Sequence, residues 1–137
     1  MTQKENLSTG TERLPRLRVL VADDSPAVIK SLCAWLETQS RLKVVGVAHN
    51  GQEALDAART MRPDLVLMDL EMPVLSGLHA TETLKREFPE MKVAIISTHA
   101  SEMWSQTSLK CGAVAFLAKQ RIPQELPPLL ARLFPPQ

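Results

Sequence analysis

Three carboxylates, a hydroxyl and an ammonium group stand at the ends of apolar runs in this sequence. Asp23 and Asp24 follow Leu17–Ala22 directly, Asp69 closes Asp64–Asp69, Ser97 closes Lys92–Ser97, and Lys119 follows Ala113–Ala118. If those runs are parallel strands of one sheet, all five side chains meet at its carboxyl edge, where open α/β sheets collect ligands. Two carboxylates about 4 Å apart repel by about 4 kcal/mol at an effective dielectric of 20, so such a cluster needs a cation or a proton. Oxygen donors alone, at an edge open to water, suit Mg2+, which keeps several waters and takes few protein ligands. Taken by itself, the Asp23-Asp24 doublet reads equally well as a turn or helix-capping pair. With Ser97 and Lys119 added, the set suits an anionic group bridged by a metal. The metal neutralises charge, the lysine holds one oxygen and the hydroxyl donates to another, the division of labour that phosphoryl transfer requires. A carboxylate at the centre can itself be the nucleophile and become an acyl phosphate. Asp69, on the central strand, is the best placed.

The elements that must position these groups are legible as an alternation. A fifth β-rich run, Lys43–Ala48, joins the other four, and five helix candidates lie between and after them. Leu65-Val66-Leu67-Met68 and Val93-Ala94-Ile95-Ile96 are continuously apolar, as expected of central parallel strands covered on both faces. In the first helix Val28, Leu32 and Leu36 recur every four residues beside Ile29 and Cys33, after a Ser25 N-cap and Pro26. The second helix is expected over 51–61, ending before Arg62-Pro63, and the third over 78–88, stopping at Pro89. The fourth, over 101–111, has only Met103, Trp104 and Leu109 as large apolar groups and should be the most weakly anchored. In the last, Leu126, Leu129, Leu130, Leu133 and Phe134 form an apolar face, but Pro127 and Pro128 lack N–H groups. A late start near Gln124 or Glu125 would place both where missing donors matter least. Alternating βαβα over this length predicts a three-layer α/β sandwich with a parallel sheet and right-handed crossovers.

Composition narrows the function classes. The chain has 137 residues, 45% of them hydrophobic, enough for one domain with a real core. Sixteen basic and 15 acidic side chains leave a net charge of +1, and no basic stripe or helix-turn-helix pattern is visible, so direct nucleic-acid binding is not expected. No apolar run approaches 18 residues and the first 16 are polar, so neither a membrane span nor a signal peptide is expected. Cys33 and Cys111 lack metal-ligand spacing and read as free thiols, which points to the cytoplasm. Residues 1–15 read as a flexible tail and 16–135 as one domain.

Four segments carry a resemblance to the receiver domains of response regulators in two-component signalling. They are Val-Leu-Val-Ala-Asp-Asp-Ser at 19–25, Ala-His-Asn-Gly-Gln-Glu-Ala-Leu at 48–55, Arg-Pro-Asp-Leu-Val-Leu-Met-Asp-Leu-Glu-Met-Pro-Val-Leu-Ser-Gly at 62–77, and Leu-Lys-Cys-Gly-Ala-Val-Ala-Phe-Leu-Ala-Lys at 109–119. The likeness runs from about Leu17 to Phe134. It implies a (βα)5 flavodoxin-like fold with a parallel sheet in the order 2-1-3-4-5, and phosphorylation of Asp69 by a sensor histidine kinase or phosphotransfer protein. It further implies Mg2+ held by Asp24, by Asp23 mostly through water, by Asp69 and by the backbone carbonyl of Glu71. Ser97 would be the switch hydroxyl, Phe116 the aromatic that turns inward behind it, and Lys119 the partner of the phosphoryl oxygens, with Pro73 and Gly77 shaping the loop after Asp69. Output would pass through the face of the fourth helix, fifth strand and fifth helix, to a second copy or an output protein. That face should include Trp104 and Lys110.

Some positions depart from the commonest pattern of that family. Gln120 follows Lys119 where many receivers have proline, so no cis peptide is expected there. With Ser97 and the Ser-Leu-Lys-Cys-Gly-Ala run, this resembles the receivers usually joined to helix-turn-helix output domains. Thr98 stands where smaller residues are usual, and Glu71 and His99 flank the entrance to Asp69, where we expect them to pair. Other readings fit less well, a flavin-binding flavodoxin relative among them, since no phosphate-binding loop follows the first strand. Phosphotransferases of the haloacid-dehalogenase class also use a strand-end aspartate, but their second aspartate is replaced here by Glu71. A receiver-like scaffold acting without phosphorylation would typically have lost some of the acids or the lysine.

Overall fold

A computed structural model of the chain describes residues 16–99 and 101–136, so the expected tail over 1–15 lies outside the described residues. Five strands, β1 (Leu17–Ala22), β2 (Leu42–Ala48), β3 (Leu65–Asp69), β4 (Lys92–Ser97) and β5 (Ala115–Ala118), pair in parallel in the order β2-β1-β3-β4-β5. Between and after them run α1 (Pro26–Glu37), α2 (Gly51–Met61), α3 (Gly77–Glu87), α4 (Glu102–Lys110) and α5 (Ile122–Leu133). The fold class and strand order are those expected from the sequence.

The two-residue period of the central strands builds both cores. Val19, Val21, Leu65, Leu67, Ala94 and Ile96 face one side, against Ile29, Leu32 and Leu36 of α1 and Ile122, Leu126, Leu129 and Leu130 of α5. Their neighbours Leu20, Ala22, Val66, Met68, Val93 and Ile95 face the other side, against Ala54, Leu55 and Ala58 of α2 and Ala80 and Leu84 of α3. All five residues of β3 are buried, which fits a strand flanked by neighbours and covered on both faces. On α4 only Ser108 is buried, so this helix is the weakly held element the sequence suggested.

Side-chain caps mark most helix starts. Ser25, Asn50, Ser76 and Ser101 accept N–H bonds from Val28, Glu53, His79 and Trp104, respectively. The start of α5 corrects the sequence expectation. It begins at Ile122, directly after a 3-10 turn over Lys119–Arg121, and takes Pro127 and Pro128 into its interior. Both prolines are exposed, while Ile122, Leu126, Leu129 and Leu130 are buried. The two hydrogen bonds the prolines cannot make would have reached the carbonyls of Pro123 and Gln124, residues on the water side. Burial of Ile122 one turn before Leu126 therefore outweighs the local rule. β5 also starts two residues later than expected, because Val114 already bonds Val93 while Ala113 N–H turns back to Ser108 O.

Candidate phosphoacceptor site

The carboxyl ends of β1, β3, β4 and β5 deliver Asp23, Asp24, Asp69, Ser97 and Lys119 to one cleft edge. Asp23 is fully buried and its backbone N–H bonds Ala48 O at 3.0 Å, which holds the β1 end to β2. Its Oδ1 accepts from Ser25 N at 2.9 Å, joining it to the capping turn of α1. Asp24 is exposed. Asp69 is buried at the end of β3, and one carboxylate oxygen from each of Asp23, Asp24 and Asp69 lies within 4.8 Å of the others.

Lys119 bridges two of these acids, with Nζ 2.7 Å from Asp23 Oδ2 and 3.0 Å from Asp69 Oδ1. Asp23 Oδ2 is fully enclosed, and the Lys119 ammonium is the one cationic group that faces it among the described residues. Burial pushes the Asp69 carboxyl up from 3.8 to about 6; contact with Lys119 opposes this, and the charges of Asp23 and Asp24 add to it. For Lys119 burial works downward, but the two carboxylates outweigh it and its pKa is raised, so it stays protonated. The cluster thus carries more negative charge than one lysine balances. Three hard oxygen donors within 4.8 Å of one another, only partly neutralised by one lysine, fit a small divalent cation.

A cleft of about 300 Å³ opens over the acids, lined by Asp24, Asp69, Leu70, Glu71, Ser97, Thr98, His99, Trp104 and Lys119. Ser97 Oγ accepts from His99 N at 3.0 Å and reaches His99 O at 3.3 Å, so its hydroxyl is engaged with its own loop. Phe116 is half-buried on β5, opposite Ile95 of β4, in the same apolar cluster as Trp104. Glu71 and His99 both line the mouth, but they do not pair; His99 Nδ1 is 3.3 Å from Thr98 Oγ1 instead. Trp104, expected on an outer face, also lines the cleft.

Two glycines shape the loop beneath Asp69. A Cβ at Gly77 would fall 1.8 Å from the Asp69 carbonyl oxygen, and Gly77 N–H bonds Leu70 O at 3.0 Å. A Cβ at Gly51 would fall 1.9 Å from Leu75 O. Between these contacts Val74 takes φ 71°, and Leu75 N–H bonds Pro73 O at 2.7 Å in a tight three-residue turn. A larger cavity, about 360 Å³, lies across Lys119 and Thr98 from the acids, walled by Ala27, Val28, Leu32, Trp35 and Ile122 among others. It contains no carboxylate, so the chemistry belongs to the smaller cleft.

Residues 19–131 match the response regulator receiver domain family, and the chain belongs to that family. It is 39% identical over 109 residues to the transcriptional regulatory protein MctR of Rhizobium johnstonii, covering 80% of this chain and 50% of MctR. It is 44% identical over 110 residues to protein-glutamate methylesterase/protein-glutamine glutaminase 1 of Syntrophomonas wolfei, covering 77% of this chain and 30% of that protein. The chain therefore spans half or less of the length of these relatives. Among solved structures it superposes on the signal receiver domain of NarL from Mycobacterium tuberculosis with a TM-score of 0.81 and 27% identity, over 90% of this chain and all of that domain. No described helix is long and apolar enough to cross a membrane.

Proposed function

We propose that this receiver accepts a phosphoryl group on Asp69 from the phosphohistidine of a sensor histidine kinase or phosphotransfer protein, in a Mg2+-dependent reaction. The observation that carries this reading is the placement of Lys119 Nζ, 3.0 Å from Asp69 Oδ1 within a cluster of three carboxylates. An Asp69 carboxylate oxygen attacks phosphorus, the N–P bond of the donor breaks, and the released imidazole takes up a proton. Lys119 draws one phosphoryl oxygen into the ion pair it now makes with Asp69. Asp23, Asp24, Asp69 and the carbonyl of Glu71 would hold Mg2+, which supplies charge neutralisation for the phosphoryl oxygens when bound.

Ser97 then leaves His99 and donates its hydroxyl to another phosphoryl oxygen. Phe116 follows into the vacated space and α4 shifts, since little holds it. The receiving surface is the α4–β5–α5 face, where Met103 and Leu109 are 65% and 50% exposed. That surface suits a second copy of the chain or an output protein rather than nucleic acid, and the cytoplasm is the matching compartment. The decisive experiment is incubation with acetyl phosphate and Mg2+ followed by intact mass measurement. Wild type should gain one phosphoryl group and Asp69→Asn none; an unmodified wild type, or an equally modified Asp69→Asn, would overturn the reading.

A further inference from the structure

Lys119 must be aimed from the end of an edge strand, where β5 gives way to a 3-10 turn. β5 is four residues long and has a neighbour on one side only. Receivers commonly follow this lysine with proline, but here Gln120 follows, and among the described residues there is no cis peptide. A 3-10 turn over Lys119–Arg121 leads straight from the strand into α5, without a side-chain cap on either.

Glu125 ties this junction together. From the first turn of α5 its Oε1 accepts from Ala118 N at 3.2 Å, and its Oε2 accepts from Arg121 Nε at 3.0 Å. Ala118 is the last residue of β5 and immediately precedes Lys119. Its N–H is directed off the sheet edge, while Ala118 as a whole stays in register with Ser97 of β4. One carboxylate therefore binds the strand end, the 3-10 turn and the helix start, enclosing Lys119 between its two contacts.

We infer that Glu125 is a positioning residue for Lys119, holding the β5 terminus so that Nζ spans Asp23 and Asp69. This inference rests on the function proposed above. It assigns Glu125 a role set by reach and acceptor geometry rather than by charge, because the Ala118 amide needs an acceptor at that distance and nothing more. The same contact links α5 docking mechanically to the ammonium group in the cleft.

The test compares Glu125→Gln, which keeps the reach and one acceptor oxygen for the Ala118 amide while giving up the charge and the Arg121 contact, with Glu125→Asp, which keeps the charge and is one methylene too short. Exchange of the Ala118 amide and the Lys119 resonances, followed by NMR, should be wild-type in Glu125→Gln and altered in Glu125→Asp. With acetyl phosphate and Mg2+, Glu125→Asp should be modified about tenfold more slowly and Glu125→Gln within about twofold of wild type. Mg2+ affinity should not fall in either, and the Glu125→Asp defect should vanish in a Lys119→Met background. The inference is overturned if Glu125→Gln is the slow variant, if both run at the wild-type rate, if Mg2+ affinity falls in parallel, or if the defect persists without Lys119. A wild type that takes no phosphoryl group, with the NMR pattern as expected, would sink the function reading and leave the brace standing.

Discussion

Lys119 Nζ lies 3.0 Å from Asp69 Oδ1 at the foot of a cleft that also holds Asp23 and Asp24. One ammonium facing three carboxylates leaves the resting site electrostatically strained, and the consequences for stability can be measured.

Asp69 should lower stability at neutral pH. Its pKa rises from 3.8 when unfolded to about 6 when folded. A carboxyl raised in this way stabilises the fold in its neutral form. That contribution is complete below about pH 3.8 and is lost as pH climbs through about 6. In metal-free buffer, Asp69→Asn should be more stable than wild type by about 3 kcal/mol at pH 7.5 and no different near pH 3.5. Urea unfolding at the two pH values checks this, and equal midpoints at pH 7.5 would refute it.

Mg2+ should relieve the same strain. At ten times its dissociation constant, a ligand that binds only the folded state stabilises it by about 1.4 kcal/mol. Thermal melts should show that gain for wild type and its loss in Asp24→Asn, whose exposed side chain contributes little to the fold otherwise. A gain of equal size in Asp24→Asn would exclude this residue as a ligand.

Gly77→Ala should damage both fold and site. The new methyl would meet the Asp69 carbonyl oxygen at 1.8 Å, and backbone cannot step aside as a side chain can. A destabilisation of about 3 kcal/mol is expected, together with slower modification of Asp69. Denaturant titration and phosphorylation time courses provide the two readouts.

Val74→Gly should act in the opposite sense. Val74 is 79% exposed and sits at φ 71°, where a β-branched residue is strained. Relief of about 1–2 kcal/mol, less the extra freedom glycine has when unfolded, leaves a net gain of about 0.5–1 kcal/mol. A lower melting temperature for Val74→Gly would show that the exposed side chain makes a contact worth more than the strain.

Glu71 and His99 should behave independently. They flank the cleft without touching, so their effects on the lifetime of phosphorylated Asp69 should add to within about 0.5 kcal/mol in a double-mutant cycle. A larger coupling would mean that the phosphorylated state brings them together.

The sequence carried the site further than it carried the junctions. Asp23, Asp24, Asp69, Ser97 and Lys119 were readable because each ends an apolar run, and parallel strands must send their ends to the same edge. The entry to α5 is not legible, because Pro127 and Pro128 argue locally for a late start, whereas Ile122 is buried in the cluster built on the central strands. The expected pairing of Glu71 with His99 failed for a related reason, since Thr98 offers His99 a nearer partner. Glu125 is legible as a first-turn residue of the last helix but not as a brace on β5. Its partners lie four and seven residues back across a strand-to-helix turn, and no periodicity reveals that a side chain folds over such a turn.

The two outer strands carry different irregularities with a common effect. β2 skips Val45 in its register with β1, since Val19 faces Val44 and Leu20 faces Gly46, and on β5 the Ala118 amide is already taken by a side chain of its own domain. Neither border offers a clean, continuous template for a foreign strand. Crowded copies of this domain are thereby protected against ribbon-like polymerisation, and any lawful association is left to meet the helices.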